Sequence, residues 1–146
     1  MGVGAPPEPW AMGMAEMMVT DYAASYAFWT GVLGFGLAFE RPAQKLACLA
    51  HPDGAQVMIY QRDGDWETGP MEAPFGRGLV VQVYVRDARD AEAKVRGAGV
   101  PFYVEPREKW RDWGDRMGGQ QEFLVQDPDG YLVMVAQRIG ERPLED

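Results

Sequence analysis

The side chains that carry most enzyme chemistry are scarce in this chain. Among its 146 residues there is one histidine, His51, and one cysteine, Cys48. A cysteine or serine nucleophile needs a base beside it, and that base needs an orienting group. His51 opens a turn and Cys48 lies just before it on the flanking run, so neither a Cys/His nor a Ser/His/Asp arrangement can be assembled. Asp127 and Asp129 look like paired carboxylates, but the turn Asp127-Pro128-Asp129-Gly130 explains their spacing. No catalytic residue is assigned. Recognition chemistry is plentiful instead, with nine methionines and five tryptophans. Trp66, Trp110 and Trp113 fall in stretches read as long loops, where a ring finds little core to bury it. They are expected either to rim a ligand cleft, stacking on a planar molecule, or to lie between two copies of the chain.

The elements that position these residues follow from two related turns. His51-Pro52-Asp53-Gly54 lies between apolar runs at 46–50 and 55–60, and Asp127-Pro128-Asp129-Gly130 between 122–125 and 131–136. Pro presets φ at the first corner, Asp bonds back to its own backbone and Gly takes a positive φ, so each segment reads as an antiparallel hairpin. A longer order repeats around them. A strand at 12–19 leads to Asp21, which caps a helix over 22–33 in which Tyr22, Tyr26 and Trp29 recur at helical spacing, and Gly34 ends it. Strands follow at 37–40, 46–50 and 55–61, then a Gly- and Pro-rich loop at 62–78. The order restarts with a strand at 79–86, Asp87 as the cap, a helix over 88–96, and strands at 100–105, 120–126 and 131–137. A loop at 106–119 lengthens this second copy, and the Pro-bearing residues 1–10 form an extended arm or an edge strand. The expectation is an α+β protein, one domain over 1–146, made of two βαβββ modules at about 12–62 and 77–137.

Strand parity sorts the side chains, since residues two apart share a face. One face collects Met17, Val19, Val57, Ile59, Val81, Val83, Val85, Phe123, Val125, Val133 and Val135, and suits packing under two helices. The other collects Met14, Glu16, Met58, Tyr60, Tyr84, Glu122 and Met134 among further Gln, Met and Val side chains. Such a mixture suits the lining of a binding cleft. With Trp66, Trp110 and Trp113 at its rim, these residues are the candidate ligand-binding set.

Charge and hydropathy exclude several classes. A net charge of −8 leaves no basic stripe to neutralise phosphates, so nucleic acid is not an expected partner. No apolar run approaches the roughly 20 residues of a membrane span. The first residues lack the basic flank and apolar core of a signal peptide, and a single cysteine suits a reducing compartment, so a cytoplasmic protein is expected.

Phe28-Trp29-Thr30-Gly31-Val32-Leu33-Gly34-Phe35 and Phe123-Leu124-Val125-Gln126-Asp127-Pro128-Asp129-Gly130 resemble the paired hallmarks of the vicinal oxygen chelate superfamily. That superfamily holds glyoxalase I, extradiol dioxygenases and bleomycin resistance proteins. The resemblance spans about 12–137 and implies curved mixed sheets forming a cleft, usually in a homodimer. One fold hosts many chemistries, and the metal site separates them. Metal-dependent members place a His near the start of a module's first strand and a Glu in its last strand. Carried onto this chain, those positions are Met14, Met58, Val80 and Met134, none of them a ligand for a hard or borderline divalent ion. No metal ligand and no cofactor is therefore assigned, and His51 is read as a solvent-facing turn residue. The expected function is that of a metal-free binding protein similar to bleomycin resistance proteins, sequestering a small cationic or flat aromatic molecule. The alternative is a metal-dependent enzyme of glyoxalase or dioxygenase type, which would need ligands from another register such as Glu16 or Glu122.

Overall fold

In a computed structural model, described for residues 2–3 and 11–145, the two turns each close a hairpin as their chemistry requires. In the first, Gly54 N–H donates to the His51 carbonyl at 2.9 Å and His51 N–H to the Ala55 carbonyl at 2.7 Å. In the second, the matching bonds run from Gly130 to Asp127 at 2.9 Å and from Asp127 to Tyr131 at 3.0 Å. Gly130 sits at φ 96°, and a Cβ there would lie 2.4 Å from that of Pro74. Only glycine meets both demands.

The strands are β1 (Gly2–Val3), β2 (Ala15–Val19), β3 (Gly36–Arg41), β4 (Leu46–Ala50), β5 (Gln56–Gln61), β6 (Val80–Tyr84), β7 (Phe102–Asp112), β8 (Met117–Gln126) and β9 (Leu132–Arg142). The first sheet has the order β1-β3-β4-β5-β2 and the second β6-β9-β8-β7. In each module the first strand pairs parallel with the last, Glu16 opposite Met58 in one and Gln82 opposite Met134 in the other. The sheets are mixed and open, and with the helices they form the α+β arrangement of two βαβββ modules. Residues 4–10 of the expected arm lie outside the described residues; Gly2–Val3 pairs with the edge strand β3.

Helix α1 (Tyr22–Ala27) is shorter than the expected 22–33, because Phe28–Val32 widens into a π turn. There the Leu33 N–H reaches back to the Phe28 carbonyl at 3.1 Å. Helix α2 spans Ala88–Gly97. Both start the same way. Asp21 and Asp87 accept from Ala24 and Asp90 N–H, while Gln61 and Gln137, at equivalent places in the closing strands, accept from Tyr22 and Ala88 N–H at 2.9 Å. These bonds satisfy amide groups that have no partner inside a helix.

The modules are joined by a reciprocal exchange. Asp129, in the second turn, accepts the Thr20 N–H at 3.1 Å and the Thr20 hydroxyl. Asp53, in the first turn, accepts the Arg86 N–H at 2.8 Å. Thr20 and Arg86 both sit just before a helix cap, so each turn holds the strand-to-helix corner of the other module. The Tyr131 hydroxyl adds a bond to the Met18 carbonyl at 2.8 Å. Between the corners lies one core, which takes in every residue of the expected packing face together with Trp29, Phe35 and Val95. Among the described residues no helix is long and apolar enough to cross a membrane.

The expected loop at 106–119 is instead strand. β7 and β8 run on as a hairpin through Arg107–Glu122 pairing to a turn at 113–116, and β9 extends beside them. Two glycines make room for rings: a Cβ at Gly119 would meet Trp110 at 2.8 Å, and one at Gly118 would meet Trp113 at 1.9 Å. Local Gly and Pro content suggested a loop, yet cross-strand packing of tryptophan on glycine holds the segment extended.

Asp127 is a strained member of the second turn. One carboxylate oxygen accepts from Asp129 and Tyr131 N–H at 3.0 and 2.9 Å, while the other and the Trp29 indole N–H beside it lack a full hydrogen bond. Burial, reinforced by the Asp129 charge against those backbone bonds, pushes this carboxyl up to about 6. A carboxyl whose folded pKa is raised favours the folded state when protonated, so its ionisation removes stability as pH climbs from about 4 to 6. Asp127→Asn should therefore gain on the unsubstituted protein by on the order of 1–3 kcal/mol between pH 4 and pH 7 in reversible denaturant unfolding. A difference that stays constant over that range would show that Asp127 does not titrate in the folded protein.

Candidate functional site

The open face of the first sheet carries a groove of about 290 Å³ bordered by Glu16, Leu46, Met58, Tyr60, Asp65 and Trp66. Its floor is apolar: Leu46 and Tyr60 are buried, and with Met18, Phe39 and Cys48 they form a second cluster against which Met14 and Met58 pack. The Tyr60 hydroxyl donates to Asp63, and that bond with burial and nearby acids pushes the phenol up to about 12, so it is a neutral donor across the ordinary pH range.

Trp66 stands beside this floor, 73% exposed and in the left-handed region at φ 63°. A residue other than glycine in that conformation costs on the order of 1 kcal/mol and persists only where its surroundings impose it. Here they do. Glu67 accepts from Arg62 at 2.7 Å and from Gly64 N–H at 3.1 Å, and Asp63 accepts from Asp65 N–H at 2.9 Å. The loop is laced tightly enough to present an unburied indole at one place.

The open face of the second sheet is organised differently. Glu122 is fully buried, with both carboxylate oxygens engaged. It accepts from Arg107 Nε and Nη2 at 3.2 and 3.0 Å, from Arg111 Nη1 and from Nη2 at 3.0 Å, and from Gln120 Nε2 at 2.9 Å. Burial alone would raise this carboxyl; the Arg111, Gln120 and Arg107 hydrogen bonds overcome it and hold the group at about 2. Tyr84 lies on the same face, its ring 5.6 Å from the Arg138 guanidinium.

The ten expected ligand residues are thus divided. Met14, Glu16, Met58, Tyr60 and Trp66 meet around the first groove. Tyr84, Glu122 and Met134 share the second sheet's open face by register, and Trp113 folds over Gly118 at its edge. Trp110 pairs with Gly119 and so faces the other side of the hairpin, where Arg142 covers its ring at 4.2 Å. Because the shared core takes the helix-side faces of both sheets, the two open faces point away from it.

His51 also departs from expectation. Its side chain is only 13% exposed and packs edge-on against Phe35 at 5.3 Å, with Nδ1 accepting the Asp53 N–H at 3.0 Å. Burial lowers its pKa. The turn's own Asp and the Phe35 ring keep it from solvent. The residues missed from sequence are the two arginine partners of Glu122, Arg107 and Arg111. Their signal was present, since Arg107, Lys109 and Arg111 alternate with a strand's period of two inside the supposed loop. No group of three or more His, Cys, Asp or Glu side chains placed for a metal ion occurs among the described residues. Met14, Met58, Val80 and Met134 do not fit a divalent ion by donor type.

Glu122 has a testable linkage opposite in sign to that of Asp127. Its folded pKa lies below its ordinary value of 4.5, so its contribution is complete above about 4.5 and lost as pH falls toward 2. Glu122→Gln should be less stable than the unsubstituted protein at pH 7, by on the order of 2–3 kcal/mol, with the gap closing in acid. Equal stability at pH 7 would mean the arginines do not hold a carboxylate here.

A family model for the Glyoxalase/Bleomycin resistance protein/Dioxygenase superfamily matches residues 11–135. No curated protein matches the chain. Among solved structures it is similar to TioX from Micromonospora sp. ML1, at 24% identity and TM-score 0.64 over 88% of this chain and 100% of that one. It is also similar to a glyoxalase/bleomycin resistance protein/dioxygenase from Alicyclobacillus acidocaldarius, at 20% identity and TM-score 0.58 over 91% and 95% of the two chains. A lactoylglutathione lyase from Agrobacterium tumefaciens matches at 17% identity and TM-score 0.57 over 90% and 96%. At these identities the structural likeness speaks for the fold. With a family model matching most of its length, the chain belongs to the Glyoxalase/Bleomycin resistance protein/Dioxygenase superfamily.

Proposed function

We propose that this protein is a metal-free binding protein that sequesters a small planar, cationic molecule in the groove of the first sheet. The observation that carries the reading is Trp66, an exposed indole held in a left-handed conformation beside the Leu46, Met58 and Tyr60 floor. Methionine and leucine adapt to a flat ring and tryptophan stacks on it, while at the rim Glu16 and Asp65 outnumber Arg41 and favour positive charge. An enzyme of the glyoxalase or dioxygenase type would need a divalent ion, and the side chains at the corresponding positions lack the donors for one. The reading takes the relationship to bleomycin resistance proteins as its guide and places the protein in the cytoplasm, where the single Cys48 stays a thiol.

Tryptophan fluorescence titrated with planar heteroaromatic cations tests it. Trp66→Ala should weaken binding about ten-fold or more, as the loss of a stacking contact worth 1–2 kcal/mol implies. Trp110→Ala, on the far side of the hairpin, should change it little. No response at tens of micromolar, or undiminished binding without Trp66, would overturn the reading. So would a stoichiometric ion retained after exposure to Ni, Zn, Fe and Mn.

A homodimer belongs to the same proposal. In the superfamily the resemblance points to, the cleft is generally completed by a second copy, and a two-fold pairing would put the same patch of each chain against its twin. Sedimentation equilibrium at micromolar concentration should give twice 16.3 kDa. A monomer at all concentrations would exclude this part.

A further inference from the structure

The second sheet's open face carries charge opposite to that of the whole chain. The protein has a net charge of −8, yet register puts Arg107, Lys109, Arg111 and Arg138 on one face with a single buried carboxylate, Glu122. Glu141, at the far end of that face, is already paired with Arg116 at 3.1 Å. A carboxylate that only tied two strands together would be served by one guanidinium. Here two converge on it, both donating to Oε2, and their mutual repulsion is a cost that strand pairing does not require.

The arrangement looks outward. Arg107 and Arg111 remain 43% and 38% exposed, so each guanidinium keeps N–H groups for something other than Glu122. Gln120 fixes the carboxylate from a third direction, which limits how far either arginine can turn. Arg138 lies over the Tyr84 ring on the same face, its guanidinium 5.6 Å from the ring centre. Beyond Tyr84 opens a cavity of about 550 Å³, bordered by Arg138, Gln137 and an Arg86 that is paired with Asp53 at 3.5 Å. Fixed guanidinium forks with one surplus charge suit a planar or tetrahedral oxyanion.

We propose that this face is an oxyanion-binding site, in which Arg107 and Arg111 grip a carboxylate or phosphate group of a small ligand whose remainder lies over Tyr84. Glu122 is a positioning residue: it touches no ligand, and it holds the two forks in register. Its gripping groups all belong to the second module, and it does not depend on the groove around Trp66.

Inorganic phosphate and malonate, titrated separately at constant ionic strength, are the probes, and the tighter of the two names the chemical source. The readouts are the Arg Nε–H resonances in ¹⁵N-labelled protein and the heat of binding. Saturable shifts of Arg107 and Arg111 in the millimolar range are expected. Arg111→Gln should weaken binding at least ten-fold. Arg111→Lys, which keeps the charge and loses the fork, should recover only a small part of it. Glu122→Gln makes the face more positive yet should bind more weakly, because the forks lose their anchor. Lys94→Gln, which removes a charge from α2 on the opposite side of the sheet, should stay within two-fold. The proposal is overturned if neither anion saturates by tens of millimolar, or if affinity simply follows net charge across Arg111→Lys and Glu122→Gln. Should Glu122→Gln unfold, the two Arg111 variants decide alone. Neither probe carries a ring or a cation, so a failure of the groove reading leaves this result intact, and the converse holds.

Discussion

The structure depends on an exchange of two carboxylates. Asp129 and Asp53 each reach out of their own turn to accept an amide at the strand-to-helix corner of the other module, at Thr20 and Arg86. Those amides precede helix caps, where the chain has left its sheet and has no ladder partner. Both residues are exposed, so water competes for these amides and each bond to a carboxylate contributes on the order of 1 kcal/mol. Satisfying them from the opposite module makes the two halves mutually necessary. It also fixes their relative placement, because a turn stiffened by proline and its own aspartate has little freedom to follow a drifting partner. Everything else about the molecule's faces is a consequence. With the corners pinned together, the helix-side faces close on one core and the open faces are turned outward, ready for ligand or for a second copy.

Two acids close in sequence show how burial acts according to the donors around it. Glu122 and Asp127 flank the same short run of β8, and both are almost out of contact with water. Glu122 has two guanidiniums and an amide to replace its hydration, so its anion is favoured. Asp127 has two backbone amides on one oxygen and no full bond on the other, with Asp129 adding repulsion, so its proton is held. The difference lies in neighbours rather than in depth. It also separates their roles, since the turn acid is bound up in architecture while the strand acid organises side chains that reach solvent.

The two open faces divide recognition chemistry by sign. Around Trp66 the floor is sulfur, leucine and phenol, with two carboxylates and a single guanidinium, Arg41, at the rim. Around Glu122 the exposed groups are guanidiniums, with Tyr84 as the aromatic element. Acidic composition overall thus conceals a basic surface, because the excess acids are spent on turns, caps and the rim of the other face.

The sequence by itself determined what depends on neighbours a few residues apart. The paired Pro-Asp-Gly turns, the caps Asp21 and Asp87, the two-residue alternation of the core face and the duplicated order of elements were all legible, because turn geometry and strand parity are local. The family resemblance added the arrangement of the modules and the absence of suitable metal donors at Met14, Met58, Val80 and Met134. Other features were legible only in part. Arg107, Lys109 and Arg111 kept a strand's period, but Pro106 and the glycines beyond them argued for a loop, and only the packing of Trp110 and Trp113 on Gly119 and Gly118 settled it. Tertiary structure alone decided that Glu122 is claimed by two arginines, that His51 is folded against Phe35, and that Trp66 and Trp110 do not share a site. Each of these turns on which side chains meet across strands or across modules, a distance in sequence over which no local preference carries information.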